Sequence, residues 1–212
     1  PAFELSLVRA NDRDPGGPAG LSRASGSADR IVIVGSGPVG VRFAERVVEL
    51  DPFRQVLLLG DEPFQPYDRV GLSSLVAREI VPERLITSDR LDSCRNVSIV
   101  SDRRIVRINR VERTVVDQFG DAYPYGHLVL ALGSRRRLPP IPGLEVANVF
   151  AFRDMRDAER LLARQVTSRR VVVIGGGLLG LEAARAMRRF GTRVLVIEQG
   201  LEPAKKMKKG NK

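Results

Sequence analysis

A short β-branched run that breaks into a glycine-rich turn and then a helix start occurs twice in this chain, with short alternating strands between the copies. Together these observations predict an α/β fold. Buried parallel strands alternate with helices, and an antiparallel meander is inserted between the first unit and the start of a second, nested one. The first copy reads IVIVGSGPVGVRFAERVVE from Ile31 to Glu49, and the second reads VVVIGGGLLGLEAARAMRR from Val171 to Arg189.

Ile31 to Val34 are apolar without alternation, as expected of a parallel strand covered on both faces. Gly35, Gly37 and Gly40 follow at G-x-G-x-x-G spacing. The first glycine allows the tight turn out of the strand, the second lets the backbone approach a pyrophosphate, and the third lets the helix lie close to the sheet. Ala44 extends that close contact one helical turn on, and Val39, Phe43, Val47 and Leu50 read as the rest of the buried helix face. The helix start from Ser36 across Pro38 to Val39 offers unpaired amides and the positive end of the helix dipole to phosphates. Gly175, Gly177, Gly180 and Ala184 repeat this design, so both copies predict dinucleotide sites.

The first unit closes with the apolar strand Val56 to Leu59. In such units the residue after the second strand is an acid that binds ribose hydroxyls. Here Gly60 holds that place, and the candidate acids are Asp61 and Glu62. Prolines and Gly71 make Pro63 to Glu79 a loop, relieved by a short helix at Ser73 to Arg78. From Val97 to Val116 the segments VSIV, RIVRI and TVVDQ alternate, with turn signals near Asn109 and at Gly120-Asp121, and read as the antiparallel meander. A buried strand at His127 to Leu130 runs into Ala131, Leu132, Gly133 and Ser134. PPIPG at Pro139 to Gly143 marks a boundary, and a charged helix, Met155 to Gln165, leads into the second unit. There the second strand, Val194 to Ile197, ends in Glu198, with the acid in register. A carboxylate at that point can accept both ribose hydroxyls of NADH and would repel the 2′-phosphate of NADPH.

These signals divide the chain into a flexible lead at 1–29, a first nucleotide domain at 30–143, the start of a second at 144–200, and a basic tail at 201–212 with Lys205, Lys206, Lys208 and Lys209. The net charge of +10 suggests nucleic acid, but the arginines are scattered and only three tyrosines and no tryptophan are available for base stacking. Nucleic acid is therefore not an expected partner. No apolar run is long enough for a membrane span, and Glu4 and Ser6 interrupt the only N-terminal apolar stretch, so no membrane is expected and cytoplasmic residence is the default. The single cysteine, Cys94, excludes an internal disulfide, a Cys-rich zinc site and an iron-sulfur cluster held by this chain alone. His127 is also alone, so neither a metal site nor a histidine-based nucleophile is expected.

Between Arg30 and Gln199 the sequence resembles the FAD- and NAD(P)H-dependent pyridine nucleotide-disulfide oxidoreductase superfamily. The likeness is carried by Gly35 to Gly40, by PYDRVGLS from Pro66 to Ser73, by LVLALGS from Leu128 to Ser134, and by GGGLLGLE from Gly175 to Glu182. GDEPFQPYDRVGLSSLVA and VVVIGGGLLGLEAA are most similar to the N-terminal flavin region of NAD(P)H-dependent nitrite reductase large subunits. The resemblance implies the FAD/NAD(P)-binding Rossmann-like three-layer fold, with FAD on the first unit and NAD(H) on the second, NADP(H) being disfavoured. It places the FAD pyrophosphate on Gly35 to Gly40 and the ring near Pro66 to Ser74, with Arg69, Ser73 and Ser74 among the cofactor-binding residues, and it adds Ala131 and Gly133 to that set. NADH would lie along Gly175, Gly177, Leu178, Leu179, Gly180 and Glu182. Ser74 stands where ferredoxin reductases carry lysine, which favours the nitrite-reductase branch, and Leu132 replaces a usual threonine. The paired cysteines of the disulfide-reducing branches are absent, and no general acid or base is assigned.

The implied activity passes hydride from NADH to FAD and electrons on to an acceptor protein or a downstream metal-centre domain, with a homo-oligomer among the expected assemblies. The superfamily pattern continues with the rest of the NAD domain and a second FAD segment, neither of which this sequence contains. The expected alternatives are a catalytically silent, truncated dinucleotide-binding fragment, or a relative of ferredoxin and rubredoxin reductases.

Overall fold

The computed structural model describes residues 29–136 and 138–200; the lead up to residue 28 and the basic tail lie outside them. In chain order the elements are β1 (Ile31–Val34), α1 (Pro38–Leu50), β2 (Val56–Leu59), α2 (Leu72–Val76), α3 (Asp89–Asp92), β3 (Val97–Val100), β4 (Ile105–Asn109), β5 (Thr114–Asp117), β6 (Ala122–Pro124), β7 (His127–Leu130), α4 (Met155–Gln165), β8 (Arg170–Ile174), α5 (Leu178–Arg188) and β9 (Arg193–Ile197). They group into two compact units, 29–68 with Leu85–Arg135, and Arg69–Arg84 with 136–200. The division drawn from sequence at Gly143 differs from this grouping. The reason lies in α2, whose Leu72, Leu75 and Val76 are all buried and which packs on α4 and α5.

In the first unit a parallel sheet runs in the order β3-β2-β1-β7, with Ile31 of β1 paired to Val56 on one side and His127 on the other. Because side chains alternate along a strand, β1 and β2 feed two different layers. Val32, Val34, Leu57 and Leu59 meet Val115 and Tyr123 of the antiparallel β4-β5-β6 meander. Ile33, Val56 and Leu58 face the other way, onto Val41 and Ala44 of α1 and Leu91 of α3. Helices, parallel sheet and meander thus form three layers. Each fully buried aliphatic side chain in these clusters contributes about 1.5–3 kcal/mol.

Two expectations from sequence need correction here. VSIV does not belong to the meander; β3 pairs in parallel with β2, from Val56 with Val97 to Leu59 with Val100. Its sheet position explains the misreading, since it is an edge strand whose Ser98 is exposed while its other residues are half-buried, and such a strand alternates as an antiparallel one does. The buried face of α1 also differs, because Val39, Phe43 and Leu50 are exposed and Gly40, Val41 and Ala44 are the buried residues. Only Val47 of the expected apolar set is packed against the core. A Cβ at Gly40 would collide with the Gly35 carbonyl, so the glycine draws the helix in along the Gly40/Ala44 seam and turns Val39, Phe43 and Leu50 outwards.

In the second unit β8 and β9 form a parallel pair from Arg170 with Arg193 to Ile174 with Ile197, and α5 packs on it. Both strands alternate between half-buried and exposed residues, leaving Val172, Ile174, Leu195 and Ile197 on an open apolar face. The α4 helix begins at a capping box, in which Asp154 accepts the Asp157 amide and Asp157 accepts the Asp154 amide. Arg136 bonds both carboxylates, at 3.1 Å each. Among the described residues no helix is long and apolar enough to cross a membrane.

Candidate dinucleotide sites

The first fingerprint is built by the end of β1 and the start of α1. Gly35 has φ +112°, a conformation open to glycine, and a Cβ there would collide with the Ala131 carbonyl just beyond β7. Its amide donates to the Leu59 carbonyl at 2.8 Å, which ties the turn to β2. Gly37 is the N-cap of α1 and faces open space, with nothing within 4 Å of where a Cβ would stand. No side chain caps this end, no acid lies in the first turn, and Pro38 contributes no amide. The backbone therefore presents an uncapped, positive helix end with room for a phosphate group, which fits the pyrophosphate of a dinucleotide.

The end of β2 shows why no acid stands in the expected place. A Cβ at Gly60 would strike the Ser36 hydroxyl, so a side chain at Gly60 and the Ser36 side chain exclude one another. Of the two candidate acids, Glu62 accepts the Tyr67 hydroxyl at 2.7 Å, whereas Asp61 is exposed. Ala131 packs half-buried on the helix side of the sheet, and Gly133 adopts φ +64° with open space around it.

The second fingerprint repeats the first in detail. Gly175 has φ +108° and donates to the Ile197 carbonyl at 2.8 Å, Gly177 caps α5 and faces open space, and a Cβ at Gly180 would collide with the Gly175 carbonyl. Leu178 and Leu179 are exposed at the helix start, and Glu182 is half-buried one turn on. The acid differs from the first site. Glu198 turns its carboxylate back over the glycine turn, where Oε2 accepts the Gly176 amide and Oε1 accepts the Gln199 amide at 2.8 Å and the Gly200 amide at 3.2 Å. These bonds, with that from Gly200 the largest influence, hold the Glu198 carboxyl below the usual carboxylate range. A carboxylate offers about four lone-pair sites, so roughly one remains for a ribose hydroxyl while this conformation is kept.

Arg69, Ser73 and Ser74 belong to the second unit. Arg69 opens a 3-10 turn, and Ser73 and Ser74 lie in α2, where their carbonyls accept the Ala77 and Glu79 amides at 2.9 Å. Reading the sequence missed the Ser36/Gly60 exclusion, which the glycine in the acid position signals. It also missed Glu79, whose carboxylate pairs with Arg185 of α5 and with Arg189 just past its end and which no local motif marks. Among the described residues no cluster of His, Cys, Asp or Glu could hold a metal ion.

Residues 29–211 match the family described as pyridine nucleotide-disulphide oxidoreductase. The chain is 35% identical over 170 residues to the nitrite reductase [NAD(P)H] large subunit of Klebsiella oxytoca, a match covering 79% of this chain and 18% of that protein. The crystal structure of a ferredoxin reductase from Rhodopseudomonas palustris superposes with a TM-score of 0.73 at 32% identity, over 79% of this chain and 42% of that one. A putidaredoxin reductase, solved in covalent complex with putidaredoxin, gives a TM-score of 0.72 at 29% identity, again over 79% of this chain and 42% of that one. The chain thus spans less than half the length of these relatives. It belongs to the pyridine nucleotide-disulphide oxidoreductase family, with the mixed α/β, parallel-sheet architecture of FAD- and NAD(P)-binding oxidoreductases.

Proposed function

We propose that this chain is the nucleotide-handling part of a flavin-dependent oxidoreductase of the nitrite-reductase-large-subunit type, working in the cytoplasm. FAD would be held at Gly35 to Gly40 and NADH at Gly175 to Gly180. Electrons would leave to a metal-centre acceptor, either a separate electron-acceptor protein or a domain joined downstream. The observation that carries this reading is the duplication of one phosphate cradle. Both first glycines have φ near +110°, both second glycines open onto empty space, and both third glycines abut the first glycine's carbonyl.

When bound, the flavin supplies the step from two-electron hydride to electrons that a metal centre can take. The chain's own residues bind and orient. Gly37 and Gly177 admit the pyrophosphates to the helix ends, and Asp61, the acid left without a partner of Glu62's kind, is the reading we favour for the FAD ribose. Glu198 carries its charge at the NAD ribose and excludes a 2′-phosphate, which favours NADH over NADPH. Ser73 and Ser74, with Arg69, lie in the segment that family likeness puts beside the flavin ring. No residue is assigned as an acid or base. The relative joined to putidaredoxin supports a small redox protein as acceptor, and the nitrite reductase likeness supports a downstream domain.

The second reading is a dinucleotide-binding segment with no turnover of its own, and the open apolar face of β8 and β9 favours it. The proposal is tested by titrating the purified chain with FAD and following quenching of flavin fluorescence. Saturable binding at one FAD per chain is expected, and the absence of any saturable phase overturns the proposal.

A further inference from the structure

Building on the reading of Gly175 to Gly180 as a nucleotide site, we infer that Glu79 is a positioning residue that couples that site to the α2 segment bearing Ser73 and Ser74. The α5 helix is the connecting part. Its N-terminus is the fingerprint turn at Gly177, and about 12 Å along its axis, at a rise of 1.5 Å per residue, it presents Arg185. Arg185 pairs with Glu79, and Arg189 reaches the same Glu79 oxygen at 3.0 Å. The Glu79 amide in turn donates to the Ser74 carbonyl at 2.9 Å. An unbroken series of bonded groups therefore runs from the nucleotide turn, through one helix and one carboxylate, to Ser74.

The turn beside Glu79 is a left-handed helix cap, in which Arg78 adopts φ +53° and its amide donates to the Leu75 carbonyl at 2.9 Å. That turn ends α2 and carries the Arg78 guanidinium over the Phe190 ring, 4.9 Å from its centre, just past the end of α5. Two neighbouring side chains are thus placed on the same end of α5. The other end of the attachment is apolar, since Leu72, Leu75 and Val76 are buried and the Val76 carbonyl accepts the buried Gln165 amide of α4. The Glu79 pairs are partly exposed, so their effect is on the freedom of the segment rather than on whether the unit folds.

The test is amide hydrogen exchange of the whole 212-residue chain with and without NAD+, compared with Glu79→Arg and with the triple reversal Glu79→Arg, Arg185→Glu, Arg189→Glu. NAD+ should slow exchange at 175–182 and also at 72–79 in the native chain. Glu79→Arg should remove about fivefold of the slowing at 72–79 while keeping that at 175–182, and the triple reversal should restore it, whereas a merely structural contact would change exchange at 72–79 equally with and without NAD+. Slowing at 175–182 with equal slowing at 72–79 in native chain and Glu79→Arg overturns the coupling alone. No slowing at 175–182 in the native chain overturns the nucleotide reading, and the coupling with it.

Discussion

Two glycines three residues apart separate binding from folding. Gly37 stands in open space at φ −74°, so the Cβ of Gly37→Val meets no protein atom and its side chain would occupy the proposed pyrophosphate position, at a cost of about 1 kcal/mol for a poor N-cap. Gly40→Ala drives a methyl group into the Gly35 carbonyl, and overpacking of this kind costs about 1–3 kcal/mol. The expected pattern is a valine variant that melts near the native temperature and loses FAD, and an alanine variant that melts early. Native FAD stoichiometry in Gly37→Val would show that the cofactor lies elsewhere. Glu198 admits a test of nucleotide choice that needs no turnover, namely calorimetry with ADP-ribose and its 2′-phosphate. The ionised carboxylate should favour the unphosphorylated ligand, and Glu198→Gln should narrow the preference about tenfold through loss of a charged partner. A native preference for the phosphorylated ligand would refute the assignment to NADH.

At the scale of elements, the meander depends on a buried carboxylate. Asp117 accepts the Phe119 and Asp121 amides at 2.9 and 3.0 Å and the Tyr123 hydroxyl at 2.9 Å, while Arg103 Nε lies 3.5 Å away as an ion pair without a hydrogen bond. Burial, then the bond to Asp117, pushes the Tyr123 phenol well above its ordinary range. The folded chain therefore keeps a proton that the unfolded chain gives up once pH passes about 10, and this part of the stability falls as pH rises further. Tyr123→Phe should cost about 1.5–3 kcal/mol at pH 7 by denaturant unfolding, since one partner of a buried charge is lost. The same variant should lose less than the native chain between pH 9 and about 11; an equal loss would mean that the phenol is not the titrating group. Much of this level was legible in the sequence. The bounds of β1, β2, β7 and α4 follow from apolar runs, a charged helical stretch and flanking turns, all of them local signals. What was not legible depends on neighbours. The alternation of β3 reflects its place at a sheet edge, and the buried face of α1 is set by one close backbone contact at Gly40, not by its apolar residues. Glu79 becomes meaningful only through arginines more than a hundred positions away.

At the scale of the molecule, the two candidate nucleotide sites differ in how well their sheets are covered. β1 and β2 have three flanking residues or more sealed on each side by helices and meander, whereas β8 and β9 keep Val172, Ile174, Leu195 and Ile197 about half exposed. Val172 pairs with Leu195 and Ile174 with Ile197, so the four side chains form one contiguous apolar patch. Patches of this kind on a soluble chain drive association. The 212-residue chain should therefore self-associate at micromolar concentration despite its charge of +10, and Val172→Lys with Leu195→Glu should shift it towards monomer in sedimentation. Ile174 and Ile197 end their strands at the fingerprint turn and, like Leu178 at the helix start, are exposed, so the proposed NADH site borders uncovered apolar surface. Hydride transfer needs the two rings held within about 3–3.5 Å, which a site open to solvent does not secure. The expectation is weak FAD binding and no turnover by these residues alone. Anaerobic mixing of the chain with FAD and NADH decides it: a flavin spectrum unchanged over minutes agrees, and stoichiometric bleaching within seconds would show that the uncovered second site already works as a reductase.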